Sequence, residues 1–181
     1  MTPRYQDIID FWFTACSPQQ WWQKDPDFDQ LLHDQFADLH RQARQCELYC
    51  WRTSAQGRLA EILILDQFSR NLFRDSPLAF AYDGMALALA QEAIALGADK
   101  QLTPQERSFL YMPYMHSESS TVHQLAVSLF EQNNDPDVLE FEMKHQRIIE
   151  RFGRYPHRNA VLNRPSTDEE RAFLEQPNSG F

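Results

Sequence analysis

The amino-acid sequence predicts an all-α fold of about eight helices. Leu, Ala and Gln, which helices tolerate well, occur 19, 16 and 17 times, whereas Val, Ile and Thr together occur only 17 times. Apolar residues also recur at steps of three and four residues between short turn signals, as in amphipathic helices. Since 181 residues suit one compact unit, we expect residues 1–181 to form a single all-helical domain.

Capping signals predict the helices of the first half of the chain. Asp25-Pro26 places an N-cap before a proline in the first turn, and Ser76-Pro77 repeats that pattern. Thr53 or Ser54 can cap the helix between these two, and Gly97 is a natural residue to follow a helix end. The predicted ranges are about 4–14, 26–47, 55–73 and 76–97.

The second half has similar signals. Thr103, Pro104 and Glu106 form a capping box with a first-turn proline, and Pro113 should end or kink that helix within residues 111–116. Further helices are expected from Ser119 or Ser120 to about 132, from Asp135-Pro136 to Gly153, and briefly after Ser166 with Glu169. Because the connections are short, neighbouring helices should pair as antiparallel hairpins in a helical-repeat architecture.

Composition excludes several classes of protein. The formal net charge of −9 argues against a globally basic nucleic-acid binder. Neither a signal peptide nor a membrane span is predicted, and three cysteines without a repeating spacing fit a reducing cytoplasm. The sequence has no Walker loop, GxGxxG motif or zinc-type Cys and His cluster, so we expect no cofactor and no metal.

A polar stripe on the helix predicted over 55–73 is the first candidate site. On an α-helix its members fall within an arc of about 140°, on the face that carries Leu59 and Leu63 one or two turns earlier. A stripe that changes from apolar to polar is expected where a helix passes from a core into a cleft. Asp66 and Arg70 can pair, which leaves Asn71 or Arg74 to face a ligand. The alternative is a structural polar network. The candidate residues are Asp66, Gln67, Arg70, Asn71 and Arg74.

The second candidate is a basic segment in an acidic protein. Residues 144–164 carry six cations against Glu150 alone, a balance of +5, so the rest of the chain carries −14. Within it, a non-helical stretch after Gly153 could hold a carboxylate or phosphate through arginines and backbone amides. Alternatively these arginines neutralise helix ends or acidic helices of the same chain. The candidate residues are Arg154, His157, Arg158 and Asn159.

The third candidate lies just after Pro113. His116 and Glu118 could form a general acid/base pair or half of a metal site, but a metal needs at least three protein ligands and the spacing does not supply them. Capping or core hydrogen bonding by the same residues is the alternative interpretation.

Several ordered motifs resemble the bacterial "domain of unknown function 924" family across essentially the whole chain. The resemblance implies an all-helical, tetratricopeptide-like fold and implies no activity. The motifs are DFWF at 10–13, WW at 21–22 with FD at 28–29, LDQFSRN at 65–71, FLYMP at 109–113 with HSE at 116–118, RFGRYPHRN at 151–159 and the closing segment from Phe173 to Phe181.

Three functions are compatible with these residues. The first is a binding module whose polar cleft holds an anionic small molecule or a peptide carboxylate. The second is a metal-independent enzyme for acid/base or hydrolytic chemistry on an anionic substrate, with His116 or His157 as base and Glu118 as acid or orienting group. The third is an interaction scaffold whose polar motifs hold the helices together, which is favoured if every motif arginine pairs with Asp or Glu of the same chain.

Overall fold

Helices form all the regular structure in the residues that the computed structural model describes, which are 4–177 and 179–180. This part of the chain contains no strand, so the all-α prediction is confirmed. If a helix that continues through a π-helical turn is counted once, the described residues form nine α-helices. The α-helical segments are α1 (Tyr5–Asp10), α2 (Pro18–Trp22), α3 (Pro26–Arg44), α4 (Ala55–Leu63), α5 (Ser69–Leu72), α6 (Asp83–Ala95), α7 (Pro104–Met115), α8 (Ser120–Asn133), α9 (Pro136–Phe152) and α10 (Asp168–Leu174).

Most helix ends follow the local signals. The Asp25 carboxylate accepts hydrogen bonds from the backbone of Asp27 and Phe28 at the start of α3. At the start of α7, Glu106 accepts from the Thr103 amide at 2.8 Å, and Thr103 accepts from the Glu106 amide at 3.3 Å. Gly153 ends α9 with a φ of 70°, a left-handed conformation that glycine adopts without a steric penalty.

Three predicted boundaries are wrong for local reasons. The helix predicted over 26–47 ends at Arg44, since Cys46 takes a left-handed φ of 59°. The helix predicted over 76–97 is split, because Pro77–Ala79 forms a 3₁₀ turn and α6 begins only at Asp83. The last helix starts one residue later than expected, with Thr167 and Glu170 as its capping box instead of Ser166 and Glu169. The short helix α2 is not among the predicted elements.

Two helices contain a π-helical segment, in which backbone bonds span five residues instead of four. Phe11–Ala15 extends α1, and Ile64–Phe68 joins α4 to α5 in the helix predicted over 55–73. The two segments contact each other through aromatic rings, with the Trp12 and Phe68 centroids 5.4 Å apart. The second segment carries Asp66 and Gln67, so it determines where the polar stripe points.

The core joins the N-terminal helices to the middle of the chain. Trp12, Phe36, Phe68 and Phe109 are buried in it, and a smaller cluster of Ile148, Ile149 and Tyr155 lies near the C-terminus. Consecutive helices pack against each other, α6 on α7, α7 on α8 and α8 on α9, as expected of short connections. A tetratricopeptide-like repeat and a single domain stay predictions.

The helix α7 continues through Pro113 and ends two residues later, within the predicted segment. Proline removes one backbone donor, so α7 lacks one bond in its last turn but keeps its direction long enough to bury Tyr114 and Met115. No helix in the described ranges combines the length and the apolar character needed to cross a bilayer. Cys16, Cys46 and Cys50 are free thiols.

Candidate functional site

Asp66 is the buried anchor of the polar stripe. Its carboxylate accepts hydrogen bonds from His116 Nδ1 at 2.8 Å and from Gln67 Nε2 at 2.5 Å, and it lies 3.3 Å from the Arg70 guanidinium. Burial alone would raise the pKa of Asp66, but Arg70 and His116 outweigh it and hold that pKa well below the usual range. Asp66 is therefore ionised, and its 3.3 Å contact with the Arg70 guanidinium confirms the predicted pairing.

Two arginines from distant parts of the sequence share one carboxylate, that of Asp83. Arg70 donates to both Asp83 oxygens at 3.1 Å, and Arg158 donates to Oδ2 at 3.2 Å. Arg158 also donates to the His116 carbonyl at 3.1 Å, which ties the third candidate segment to the second. Residues from all three predicted segments thus meet around Asp83.

A cavity of about 300 Å³, which we call the Asp83 cavity, opens beside this cluster. It lies between the turn before α6, the start of α6, the end of α7 and the 3₁₀ turn Pro156–Arg158. Its polar wall consists of Asp83, His116, Ser117, Glu118 and Arg158, and its apolar wall includes Phe80, Leu87, Pro113 and Leu162. Of the predicted residues, His116, Glu118 and Arg158 line the cavity, and Asp66 and Arg70 bind side chains of that lining.

His116 presents a defined imidazole to the cavity. Because Asp66 is ionised, His116 Nδ1 must carry the proton of the bond between them. Burial and the nearby Arg70 lower the pKa of His116 although Asp66 opposes them, so the ring is neutral at pH 7. Nε2 makes no hydrogen bond to the described residues and is available as an acceptor.

Arg158 is nearly buried, with 7% of its side chain exposed. Its guanidinium lies 4.5 Å from the Phe80 ring and 4.6 Å from the Tyr155 ring, and Nε has no hydrogen-bond acceptor in the described part of the chain. Burial and the neighbouring Arg70 lower the pKa of Arg158. By contrast, Asp66 and Asp83 raise the pKa of Arg70 in spite of burial. Asp83 and Glu118 oppose the lowering at Arg158, so they compensate its positive charge in part.

Glu118 lines the cavity, but its carboxylate is already engaged. Arg164 donates two hydrogen bonds to it at 2.7 and 2.9 Å, and the Tyr155 amide donates a third at 2.7 Å. Although burial opposes them, these donors lower the pKa of Glu118. The side chain therefore holds the 155–164 segment against the end of α7, and it stays an ionised acceptor instead of a proton donor.

The structure places the other candidates outside the lining. Asn71 and Arg74 both bind Asp29 of α3, Arg74 at 2.5 and 2.7 Å. Arg154 binds Glu170 and the Pro165 carbonyl. Gln67 bonds Asp66 and the Met112 sulfur, Asn159 bonds Ser166 and Arg164, and His157 packs its ring 5.5 Å from that of Tyr155.

A second histidine–carboxylate pair lies in the core beside this site. His123 Nδ1 is 2.6 Å from Glu142 Oε1, and its Nε2 is bonded to the Ser117 carbonyl at 2.9 Å and lies 3.1 Å from the Tyr155 hydroxyl. Both side chains are completely buried. No group of three His, Cys, Asp or Glu among the described residues is placed to hold a metal ion.

Sequence reasoning missed Asp83, Phe80 and Tyr155. Asp83 is the first residue of α6, where an acidic side chain is expected simply to stabilise the helix N-terminus. Tyr155 belongs to the RFGRYPHRN motif but has no charge to draw attention to it. The arginines of the candidate segments outnumber the carboxylates predicted to pair with them. A search of the remaining Asp and Glu residues for the missing partners could have identified Asp83.

Comparison with known proteins agrees with the fold and gives no activity. The profile of a family described as "Bacterial protein of unknown function (DUF924)" matches residues 8–178. A solved structure of the protein of unknown function ATU0120 from Agrobacterium tumefaciens is similar, with 42% identity, a TM-score of 0.90, and coverage of 94% of this chain and 96% of that one. No protein of curated function matches. The chain therefore belongs to the bacterial DUF924 family of proteins of unknown function.

Proposed function

We propose that this protein binds a small molecule with an anionic group, such as a carboxylate of a metabolite or a peptide, in the Asp83 cavity. The observation that carries the proposal is the sharing of Asp83 by two guanidiniums. One carboxylate faces both Arg70 and Arg158, and Asp66 makes no bond to Arg158. An incoming carboxylate or phosphate would compensate the charge that Asp83 leaves on Arg158.

The cavity suits a ligand that is partly apolar. Phe80, Leu87 and Leu162 belong to the apolar part of its lining, and about 300 Å³ is at the small end of the range for ligand pockets. Both guanidiniums also lie over the Phe80 ring, Arg70 at 5.7 Å and Arg158 at 4.5 Å, which holds them in place before a ligand arrives. Such preorganisation lowers the entropic cost of binding.

Pairing elsewhere in the chain supports a structural role for the remaining arginines. Arg74, Arg154 and Arg164 each have a carboxylate partner at 2.9 Å or less, which is what the scaffold hypothesis requires. Arg70 is also paired with Asp66 and Asp83, and Arg158 with Asp83, so these two arginines meet the scaffold condition as well. They differ from the others in that their bonds to Asp83 are longer and that they share this partner. We therefore assign the ligand to Arg70, Arg158 and the cavity lining, and we assign the other arginines to the support of the fold.

The test measures thermal unfolding of the full chain with acetate, succinate or inorganic phosphate at low ionic strength. An anion at about 100 times its Kd adds about 2.7 kcal/mol to the free energy of unfolding and raises Tm by about 5–10 °C. We expect Arg158→Gln and Arg70→Gln to lose this increase. The matched variant Arg74→Gln should keep it, because Arg74 binds Asp29 away from the cavity. The proposal is wrong if no anion stabilises the wild type more than chloride does.

The same proposal covers partners and location. We assign a small molecule or a peptide end as the ligand instead of a nucleic acid or a membrane, because the formal net charge of −9 disfavours binding to a polyanion. Three free thiols support a cytoplasmic location.

A further inference from the structure

Two histidines of this protein each bind a carboxylate through Nδ1, and they differ at the other nitrogen. His123 has both nitrogens engaged in the core, Nδ1 by Glu142 and Nε2 by the Ser117 carbonyl. His116 uses Nδ1 for Asp66 at 2.8 Å, lines the Asp83 cavity and has no described hydrogen-bond partner at Nε2. Both ring nitrogens of His123 are therefore engaged, whereas Nε2 of His116 keeps a lone pair that can accept a proton.

We propose that His116 is a general base toward the molecule held in the Asp83 cavity, with Asp66 as the positioning residue that fixes its tautomer. This inference rests on the proposed function, because the anionic ligand is what brings a proton within reach. The substrate class is a small anionic molecule with an acidic O–H or C–H bond near its charged group. A carboxylate on Nδ1–H orients an imidazole and stabilises the imidazolium that forms when Nε2 accepts a proton.

The proton balance of the step is simple. His116 Nε2 takes the proton of the substrate O–H or C–H bond, and the electron pair of that bond stays on the substrate. The ring becomes an imidazolium held by Asp66, and the new negative charge of the substrate faces Arg158. Reversal of the same transfer returns the proton, so the step needs no oxidant, reductant or second reactant.

The charges around His116 determine its pH behaviour. Asp66 and Asp83 favour the protonated ring, whereas burial and Arg70 disfavour it. His145 and His157 also interact electrostatically with it, and the Arg158 guanidinium binds its carbonyl. Because the lowering influences prevail, the ring is an unprotonated base at neutral pH, and acidification should inactivate it only below its ordinary pKa.

Reaction of the folded chain with diethyl pyrocarbonate tests this assignment, since the reagent acylates an unprotonated and accessible imidazole nitrogen. Peptide mass spectrometry reads the extent at each histidine. We expect modification of His116 and none of His123. Asp66→Asn should slow the reaction of His116 by about ten-fold or more, because an amide can donate to Nδ1 and move the ring proton to Nε2. The matched variant Glu142→Gln should leave the rate at His116 unchanged.

A second measurement decides the matter if Asp66→Asn does not fold. Nitrogen-15 spectra of the wild-type histidines at pH 7 should show His116 protonated at Nδ1 and unprotonated at Nε2. A proton on Nε2, or a rate at His116 as low as at His123, overturns the proposal.

Protection by succinate separates this inference from the proposed function. If succinate slows modification of His116, the anion and the base share the cavity and both proposals are supported. Fast modification that acetate, succinate and phosphate all fail to slow overturns the anion site and, with it, the role of His116 as a base toward an anionic ligand. Stabilisation by succinate with an unreactive His116 supports the binding function and overturns the base.

Discussion

Arg70 and Arg74 lie four residues apart and are similarly buried, with 21% and 27% of their side chains exposed, yet their ion pairs differ. Arg74 has Asp29 as a carboxylate of its own, at 2.5 and 2.7 Å. Arg70 lies 3.3 Å from Asp66 and shares Asp83 with Arg158, and the three bonds to Asp83 are 3.1 to 3.2 Å long. A charge-assisted bond is normally about 2.7–2.9 Å. We interpret the short Arg74–Asp29 pair as a contact that holds helices together. The longer, shared contacts at Asp83 leave part of the positive charge beside the cavity.

The largest effect should come from removing the shared carboxylate. Asp83→Ala leaves the buried Arg158 without a carboxylate partner and leaves Arg70 with Asp66 alone, so we expect the free energy of unfolding to fall by about 3 kcal/mol. Asp29→Ala strands one partly exposed guanidinium and should cost about half as much. Urea unfolding followed by tryptophan fluorescence measures both values.

Added acetate sharpens this comparison. Acetate should restore part of the stability of Asp83→Ala, because it can replace the missing carboxylate between Arg70 and Arg158. It should do less for Asp29→Ala. Equal losses in the two variants, with no response to acetate, would show that Asp83 and Asp29 are equivalent structural partners.

Acid should destabilise the cavity side of the molecule through His157. Burial and Arg158 lower the pKa of His157 to about 4 from an ordinary value of 6.5. Between these values the unfolded chain binds a proton that the folded chain does not, so stability is lost as pH falls from about 6.5 toward 4. We expect His157→Gln to remove about 2 kcal/mol of the loss between pH 7.5 and pH 5.

Urea unfolding at each pH checks this slope, and Arg74→Gln serves as the control. Burial and Arg44 also lower the pKa of His40 to about 4. His40 therefore continues to contribute to the loss of stability in acid in both variants. If His157→Gln and the wild type lose stability in parallel, the burial of His157 has no thermodynamic consequence.

The smallest effect should come from changing the ion pair between Arg74 and Asp29. Arg74→Gln should lower the free energy of unfolding by about 1 kcal/mol, as for a partly exposed ion pair, and Arg74→Lys by less because the charge is kept. Neither should change the response to succinate. A response that disappears in Arg74→Lys would place the anion at the Arg74 guanidinium instead of at the Asp83 cavity.

Features that depend on a few neighbouring residues could be predicted from the sequence. The caps at Asp25, Thr103 and Gly153 are where expected, because a side chain of the right type binds a backbone group no more than three residues away or a glycine allows a left-handed turn. The pairing of Asp66 with Arg70 is also local, at four residues on one helix.

The candidate site was only half predictable, because several of its contacts join residues that are far apart in the sequence. Asp83 and Arg158 are 75 residues apart, and no local rule connects them. Asn71 and Arg74 looked like ligand-facing groups because an ideal α-helix places them on the same stripe as Asp66. In the structure Asp29, 42 and 45 residues earlier, engages both. Whether the site binds a ligand depends on how completely the charge of Arg158 is compensated. The succinate and acetate titrations measure the stabilisation that an added anion provides there.

The π-helical segment Ile64–Phe68 has a consequence for comparing relatives. A π-helical turn accommodates one residue more than an α-turn, so the helix on either side keeps its direction although the segment contains an extra residue. In an uninterrupted α-helix, by contrast, one residue more or less rotates the remainder by about 100° around the axis. A homologue with a one-residue gap confined to 64–68 would therefore close an ordinary α-turn there and still direct its counterpart of Arg70 toward Asp83, whereas the same gap in α4 would turn that side chain away.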